Sequence, residues 1–300
     1  MKVKTGRNDR IFNIVNLTIL ILLAILFLLP FWLVFTSSIV SETERNLRGM
    51  AIFIPHSFDL SAYKTVLGEG TIIYRAYLNT LIRMVFGTLL SMLVTTMAAY
   101  ALAKRGLPWR KGITFFFFFT ILFNGQASVS SGTLVPTFIL VNSLGWFDTV
   151  FALIFPSLVN AWWMLLLRNF FMEIPVALEE SASLGGATPP RILLQIVLPL
   201  SLPSLMTIGL FYAVWHWNQW FDAFIFIIDY DKMPLQNVLR EIVFSTNLTN
   251  ASLARLDAAG LPSEKLKSVT IMVSTRPFLC LYPFIQKYFV RGVMVGSIKG

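Results

Sequence analysis

The chain alternates long apolar stretches with short polar segments, and this pattern decides its class. Six stretches are long enough to cross a bilayer as helices, which takes about 20 residues. They lie at Ile14–Ser38, Leu78–Ala103, Ile113–Val141, Phe147–Leu167, Val197–Phe221 and Val269–Val290. The third stretch is interrupted, because lipid would not tolerate the polar, Gly/Ser-rich run Asn124–Thr133, so its helix should end near Phe123. We therefore predict an all-α, polytopic membrane protein with six transmembrane helices.

Composition and charge agree with this class and set an orientation. Of the 300 residues, 56% are apolar and 13% are charged, which excludes a soluble globular protein. If the N-terminus is cytoplasmic, the inner segments carry the whole net charge of +9, and the remaining 11 bases and 11 acids cancel. The large outer segments are 41–75, 124–146 and 222–268. This positive-inside pattern predicts one transmembrane domain over residues 1–300, with both termini cytoplasmic. Because the bases divide among short loops, a nucleic-acid-binding face is not expected.

One inner segment, at residues 173–199, has the pattern of a helix, a glycine turn and a second helix. Pro175 suits the start of a helix over Val176–Leu184, which should end at Gly185–Gly186. Thr188–Pro189 then predicts the N-cap and first turn of a helix that enters the membrane. A rigid projection of this shape is what a membrane subunit needs to receive a push from a soluble motor.

The same segment carries a signature. Glu180, Ser181 and Ala182 are followed after three residues by Gly186, after nine more by Ile196, and then by Leu198 and Pro199. This resembles the Glu-Ala-Ala signature of the type I ATP-binding-cassette (ABC) importer permeases. Ser181 and Gly185 stand where that family usually has Ala and Asp, and both differences are small. The resemblance implies a coupling helix that docks on an ATPase, with Glu179 beside the signature.

Three further stretches, Trp217–Asp222, Pro234–Arg240 and Tyr282–Gly292, resemble the LplC-type branch of the carbohydrate uptake permeases. The resemblance implies a pore shared with a second homologous permease, two cytoplasmic ATPase subunits and an extracytoplasmic solute-binding protein, in contact with membrane lipid. It also implies a transport subunit for an oligosaccharide, in a bacterial inner membrane, rather than an enzyme. The alternatives are the same importer type for another small solute, and an ion-coupled secondary carrier. A carrier would need carboxylates at mid-depth, and the assigned spans have none.

The residues themselves indicate neither catalysis nor a metal site. No G-x-x-x-x-G-K-[ST] phosphate loop occurs, so ATP and Mg²⁺ are expected on partner ATPase subunits, with no cofactor in this chain. His56 and His216 are the only histidines and lie on different segments, which disfavours both a metal site and a Ser-His-Asp hydrolase. The single thiol, Cys280, rules out a disulfide within the chain.

Two arginines fall within predicted spans, where an ionisable group is costly unless it meets a partner or water. Arg83 and Arg276 each lie about two helical turns inside the outer boundary. Two interpretations stay open: the side chains snorkel to the surface, or they line the outer cavity. Lining would suit an acidic, uronate-containing oligosaccharide, because guanidinium groups bind carboxylates well.

The outer end of the fifth span is rich in aromatic and polar side chains: Trp215, Trp217, Asn218, Trp220 and Asp222. Aromatic faces that stack on sugars, with amides that bind hydroxyls, would form a saccharide site. The alternative is an aromatic belt at the membrane interface. We predict that these residues, with Arg83 and Arg276, help line the substrate path.

Overall fold

The computed structural model describes residues 7–49, 51–68, 71–124, 133–244, 264–277 and 279, and these contain helices but no strand. The chain divides into two compact units, Met1–Thr71 with Glu241–Thr275, and Ile72–Arg240 with Arg276–Gly300. The single transmembrane domain over residues 1–300 stays a prediction. The tail stretch Tyr282–Gly292 lies outside the described residues.

The helices follow one another along the chain as a series of long and short elements. They are α1 (Arg7–Ile39), α2 (Glu42–Arg48), α3 (Ser61–Val66), α4 (Ile72–Ala103), α5 (Arg110–Asn124), α6 (Leu134–Ser143), α7 (Val150–Ile154), α8 (Ala161–Met172), α9 (Val176–Leu184), α10 (Pro189–Ile192), α11 (Leu198–Leu200), α12 (Leu202–Asn218), α13 (Phe221–Phe226), α14 (Leu235–Phe244) and α15 (264–277). Short 3₁₀ turns lie at Phe155–Ser157 and Tyr230–Lys232, and a π-helical turn lies at Leu193–Val197.

Two of the described helices, α1 and α4, are long and apolar enough to cross a membrane unbroken. Two bent pairs meet the same criterion together: Val150–Ser157 with Ala161–Met172, and Pro189–Leu200 with Leu202–Asn218. The described part of the chain therefore contains two to four candidate spans. The expected count of six stays a prediction. The predicted end of the third helix near Phe123 agrees with α5, which ends at Asn124.

The predicted spans Phe147–Leu167 and Val197–Phe221 are not continuous helices, and local sequence explains both breaks. In the first, the direction changes by 51° around Pro156 and Asn160. The Asn160 side chain caps α8 by accepting a hydrogen bond from Trp163 N at 3.1 Å, which fixes the start of a new helix. In the second, the chain turns by 86° between Leu200 and Leu202. Flanking prolines at 199 and 203 remove backbone donors there.

The first unit joins α1 to the short polar helices that follow it. The apolar side chains of α1 are exposed along most of its length, as expected for a surface in contact with lipid. Beyond α1, the Glu44 carboxylate accepts hydrogen bonds from Ser57 N at 2.8 Å and Ser57 Oγ at 2.6 Å. Lys265 of α15 forms an ion pair with Asp59 at 2.5 Å. These bonds fix the polar segment that connects α1 to α3.

The second unit is built around α4, which packs against both α12 and α8. The core of this packing contains Tyr100, Leu167, Phe171 and Tyr212, all buried. The Tyr212 hydroxyl is within 2.7 Å of Thr95 Oγ1 and accepts a hydrogen bond from the backbone N–H of Asn160 at 3.0 Å. One buried phenol thus links three helices of this unit.

Candidate functional site

The coupling segment, residues 173–199, which is predicted to contact an ATPase, has the expected backbone. The helix α9 spans Val176–Leu184, the predicted bounds, and Gly186 after it has a φ of +80°. Thr188 has the extended backbone of an N-cap, and Pro189 opens α10, although the Thr188 side chain makes no capping bond. A glycine at positive φ allows the sharp turn that aligns the two helices.

Some of the signature residues are exposed, and others pack against the core of the second unit. Glu180, Ser181, Gly185, Gly186 and Pro199 are exposed. Ala182 and Ile196 instead pack against the core that contains Tyr100 and Phe171, and Leu198 is half-buried. The projection is therefore anchored on one side and free on the other, which suits a surface that binds a partner and transmits its movement.

Lys104 and Tyr100, which the sequence pattern did not single out, hold the coupling segment in place. Lys104, just after α4, forms an ion pair with Glu179, and its ammonium lies 4.3 Å from the centre of the Tyr100 ring. Burial opposes the charge of Lys104, but hydrogen bonds to Glu179 and Tyr100 outweigh it, and the pKa of Lys104 is raised. The sequence alone did not reveal the pairing of Lys104 with Glu179, because the two residues are 75 positions apart.

The second cluster predicted from sequence centres on Arg83, which is fully buried. Its guanidinium forms an ion pair with Asp222 and donates a hydrogen bond to Asp222 Oδ1 at 3.1 Å. It also donates to the carbonyl oxygens of Gln219 at 3.2 Å and Leu153 at 3.4 Å. Asp222 in turn accepts from the N–H of Ala223 at 2.7 Å. The pair thus links α4, α7 and the turn that opens α13.

This arrangement differs from both interpretations of Arg83. A side chain with no exposed surface neither snorkels to the membrane surface nor presents its charge to a cavity within this chain. Asp222 neutralises that charge, as the low polarity of a membrane interior requires. In this chain, Arg83 and Asp222 therefore fix the backbone at Gln219 rather than offer free charges.

The tryptophans near the end of α12 fall into two groups. Trp217 is buried and packs edge-on against Tyr77, with ring centres 5.7 Å apart, so its face is not free to stack on a sugar as predicted. Trp215 and Trp220 are half-buried, and Asn218 is exposed. Trp220 also lies 3.7 Å from the guanidinium carbon of Arg240, a contact that the sequence did not predict.

Arg276 and His216 have different surroundings. Arg276 is exposed in the last turn of α15 and takes no part in the Arg83–Asp222 cluster. His216 is buried against Gly87, where a Cβ would come within 2.5 Å of the imidazole. Among the residues that the structure describes, no group of three His, Cys, Asp or Glu side chains could hold a metal ion.

Apolar helices long enough to span a membrane, a buried ion pair and an exposed helix–turn–helix projection are the features expected of a membrane transport subunit. The sequence comparisons agree. The polygalacturonan/rhamnogalacturonan transport system permease protein YtcP of Bacillus subtilis is 38% identical over 97% of this chain and 99% of its own length. Protein LplC of the same organism is 36% identical over 97% of this chain and 96% of its own. No model of a protein family matches the chain.

A solved structure agrees with both relatives. A chain of a bacterial ABC transporter that imports the acidic polysaccharide alginate has a TM-score of 0.84 and 32% sequence identity, over 96% of this chain and 100% of its own. The chain therefore belongs to the permease subunits of carbohydrate ABC importers, which are inner-membrane proteins. Members of this family are transport subunits, not enzymes.

Proposed function

We propose that this permease forms half of a pore that moves an acidic oligosaccharide, of the uronate-containing class, into the cell. The observation that carries the proposal is the agreement between the sequence comparison and the structure comparison. A polygalacturonan/rhamnogalacturonan permease matches nearly the whole sequence, and a chain of an alginate importer matches nearly the whole fold. Family membership removes the ion-coupled carrier from consideration. The alternative substrates for the same importer type, a neutral sugar or another small solute, are distinguished by the test.

The partners in this proposal are a second permease, two cytoplasmic ATPase subunits that hold ATP and Mg²⁺, and an extracytoplasmic solute-binding protein. An ATPase would contact the exposed face of the coupling segment, formed by Glu180, Ser181 and Gly186. Leu184 adds an apolar contact there, with 91% of its surface exposed. Movement would pass to α4 through Lys104 and to the membrane core through Ala182 and Ile196.

In the proposed orientation both termini are cytoplasmic. Contacts within the second unit support opposite sides for the two ends of α4. Near its start, Arg75 forms an ion pair with Asp231 at 2.6 Å, and Asn79 donates to the Asp231 carbonyl at 2.8 Å. Just beyond its other end, Lys104 contacts Glu179 of the coupling segment. The segment around Asp231 and the coupling segment would therefore face opposite compartments.

The proposed substrate path runs past the end of α12. Trp215, Asn218 and Trp220 would contact the sugar, because each retains exposed surface. Arg83 and Asp222 would hold the backbone of this segment, and Trp217 would support it from behind. Arg276 is the exposed cation of the set, so it would attract a carboxylate of the substrate.

The test is transport by the complete importer in proteoliposomes, with oligogalacturonate and a neutral oligosaccharide of equal length. We expect ATP-dependent uptake of the acidic sugar, with the neutral one at most a weak competitor. Preferential uptake of the neutral sugar would reject the acidic class while keeping the importer. Uptake of neither, in a complex whose ATPase responds to a loaded binding protein, would point to another solute.

A further inference from the structure

We propose that the second unit contains a binding site for one anionic phospholipid, between α5 and α8. The site is a cavity of about 1020 Å³ in the part of the chain that the structure describes. That volume is at the upper end for small-molecule sites and can hold a headgroup with part of an acyl chain. None of its lining residues belongs to the coupling segment or to the proposed substrate path.

Four cationic side chains line the cavity: Arg105, Arg110, Lys111 and Arg168. Among the described residues, none of the four forms an ion pair with a carboxylate. Like charges that gather at one end of a cavity repel one another, so a counter-ion there is favourable. A bound anion would supply the missing counter-charge. Guanidinium and ammonium groups suit a phosphate in particular.

The cavity is polar at one end and apolar at the other. The start of α5 lies beside the end of α8: Arg110 Nη2 is 3.3 Å from Met172 Sδ. Arg110 and Lys111 open α5, Arg105 precedes that helix, and Arg168 lies in the second half of α8. Phe115 and Phe118 follow along α5, and Trp162 lies at the far end of α8. From Arg110 to Phe118 the helix rises about 12 Å, so charge gives way to apolar surface over two turns.

This gradient matches a phospholipid in a bilayer. The phosphate would lie among the cations at the membrane surface, and an acyl chain would extend along Phe115, Phe118 and Trp162 towards the bilayer interior. Basic pockets between transmembrane helices are a known way to bind anionic headgroups. A free phosphate would satisfy the cations but would leave the apolar end of the cavity unfilled. An anionic lipid fills both ends.

The experiment measures lipid binding to the purified, delipidated importer complex by native mass spectrometry. Phosphatidylglycerol is compared with phosphatidylcholine, and inorganic phosphate is added as a competitor. The test variant R105Q/K111Q removes two cations that are exposed, so folding should be unaffected. The matched control R10Q/K64Q removes two exposed cations elsewhere. We expect phosphatidylglycerol to bind the test variant about twenty-five-fold more weakly, roughly fivefold for each cation. We expect it to bind the control variant as tightly as it binds the unaltered protein.

A photoactivatable phosphatidylglycerol locates the site, and labelling of peptides around Trp109 and Trp162 supports the proposal. Equal binding of the two lipids, or an equal loss in the test and control variants, would overturn it. So would displacement of phosphatidylglycerol by inorganic phosphate at equal concentration, because the ligand would then be a free anion. Crosslinking of a Trp162→Cys variant to the second permease would also overturn the proposal, because protein rather than lipid would then cover the cavity. The binding measurement needs no transported sugar, so its failure leaves the proposed function untouched.

Discussion

Arg83 and Asp222 are 139 positions apart in sequence and form an ion pair that is almost completely shielded from solvent. The pair connects the long helix α4 to the turn between α12 and α13. In a membrane interior, each charge would be expensive without the other. Two residues that the sequence suggested as separate contacts for substrate therefore depend on each other.

Removal of one member of this pair should destabilise the permease strongly. Arg83→Gln or Asp222→Asn leaves an uncompensated buried charge, which costs about 3–5 kcal/mol, whereas replacing both with apolar residues costs far less. Thermal unfolding of the purified complex measures the difference. Arg75→Gln is the matched control on the same helix, because Arg75 and Asp231 are both about half-exposed and such pairs contribute at most about 1 kcal/mol. Single variants as stable as the control would contradict a structural role for the pair.

Gly186 should be required for coupling because of its backbone conformation. Its φ of +80° is unfavourable for a side chain, and nothing lies within 4 Å of a Cβ built there. Gly186→Ala should therefore cost about 1 kcal/mol through backbone strain, with Asn better tolerated. Gly186→Trp should lower sugar-stimulated ATPase activity and transport while the subunit still inserts.

Gly106→Ala provides the control for Gly186, since its added Cβ also meets open space and its φ is not positive. If Gly186→Trp coupled normally in a well-assembled complex, neither the turn nor its open surface would matter for the ATPase.

Local signals in the sequence were sufficient to predict the helix bounds of the coupling segment, but they predicted the membrane helices less well. Pro175 and the Gly185–Gly186 pair punctuate the chain strongly, so the bounds of α9 could be predicted. The break before α8 was also readable, from Pro156 and Asn160, but the apolar pattern around it favoured one continuous span. The pairing of Arg83 with Asp222 could not be read locally, because tertiary packing decides which distant polar groups meet.

Glu44 should give the segment after α1 a pH-dependent stability. The Ser57 hydroxyl bond, together with the backbone N–H groups of His56 and Ser57, outweighs burial and lowers the pKa of Glu44 to about 2. A lowered pKa means that the stabilisation is complete above about pH 4.5, the ordinary value, and is lost as the pH falls towards 2. Glu44→Gln should thus lower the thermal midpoint at pH 7, and the difference should shrink at pH 3. Glu42→Gln, which alters an exposed neighbour, is the control; a constant difference at both pH values would refute the assignment.

Topology can be tested by labelling single cysteines in a Cys280→Ser background. An impermeant maleimide added to intact spheroplasts should react with Glu42→Cys but not with Lys111→Cys or Glu180→Cys. All three positions are exposed, so permeabilised cells should show labelling of each. Predicted outer positions at 128–131 and 247–263 lie outside the described residues and are tested in the same way. Labelling of Lys111→Cys in intact spheroplasts would reverse the proposed orientation.

Arg276 provides the sharpest test of the acidic substrate, because it is exposed and the structure gives it no carboxylate partner among the described residues. In a partly dehydrated path its attraction for a uronate would exceed the value in water, yet must still permit release. Arg276→Gln should slow transport of an acidic oligomer about tenfold more than that of a neutral one, the size of one charge-assisted hydrogen bond. Asn218→Ala, which removes only an amide, should slow both sugars alike. Trp217→Ala is unsuitable as a test of stacking, because loss of a buried ring would lower stability first. If Arg276→Gln slowed transport of the two sugars equally, Arg276 would not contact the substrate carboxylate. Its side chain would then snorkel to the membrane surface or serve packing, and a neutral saccharide would be the better substrate.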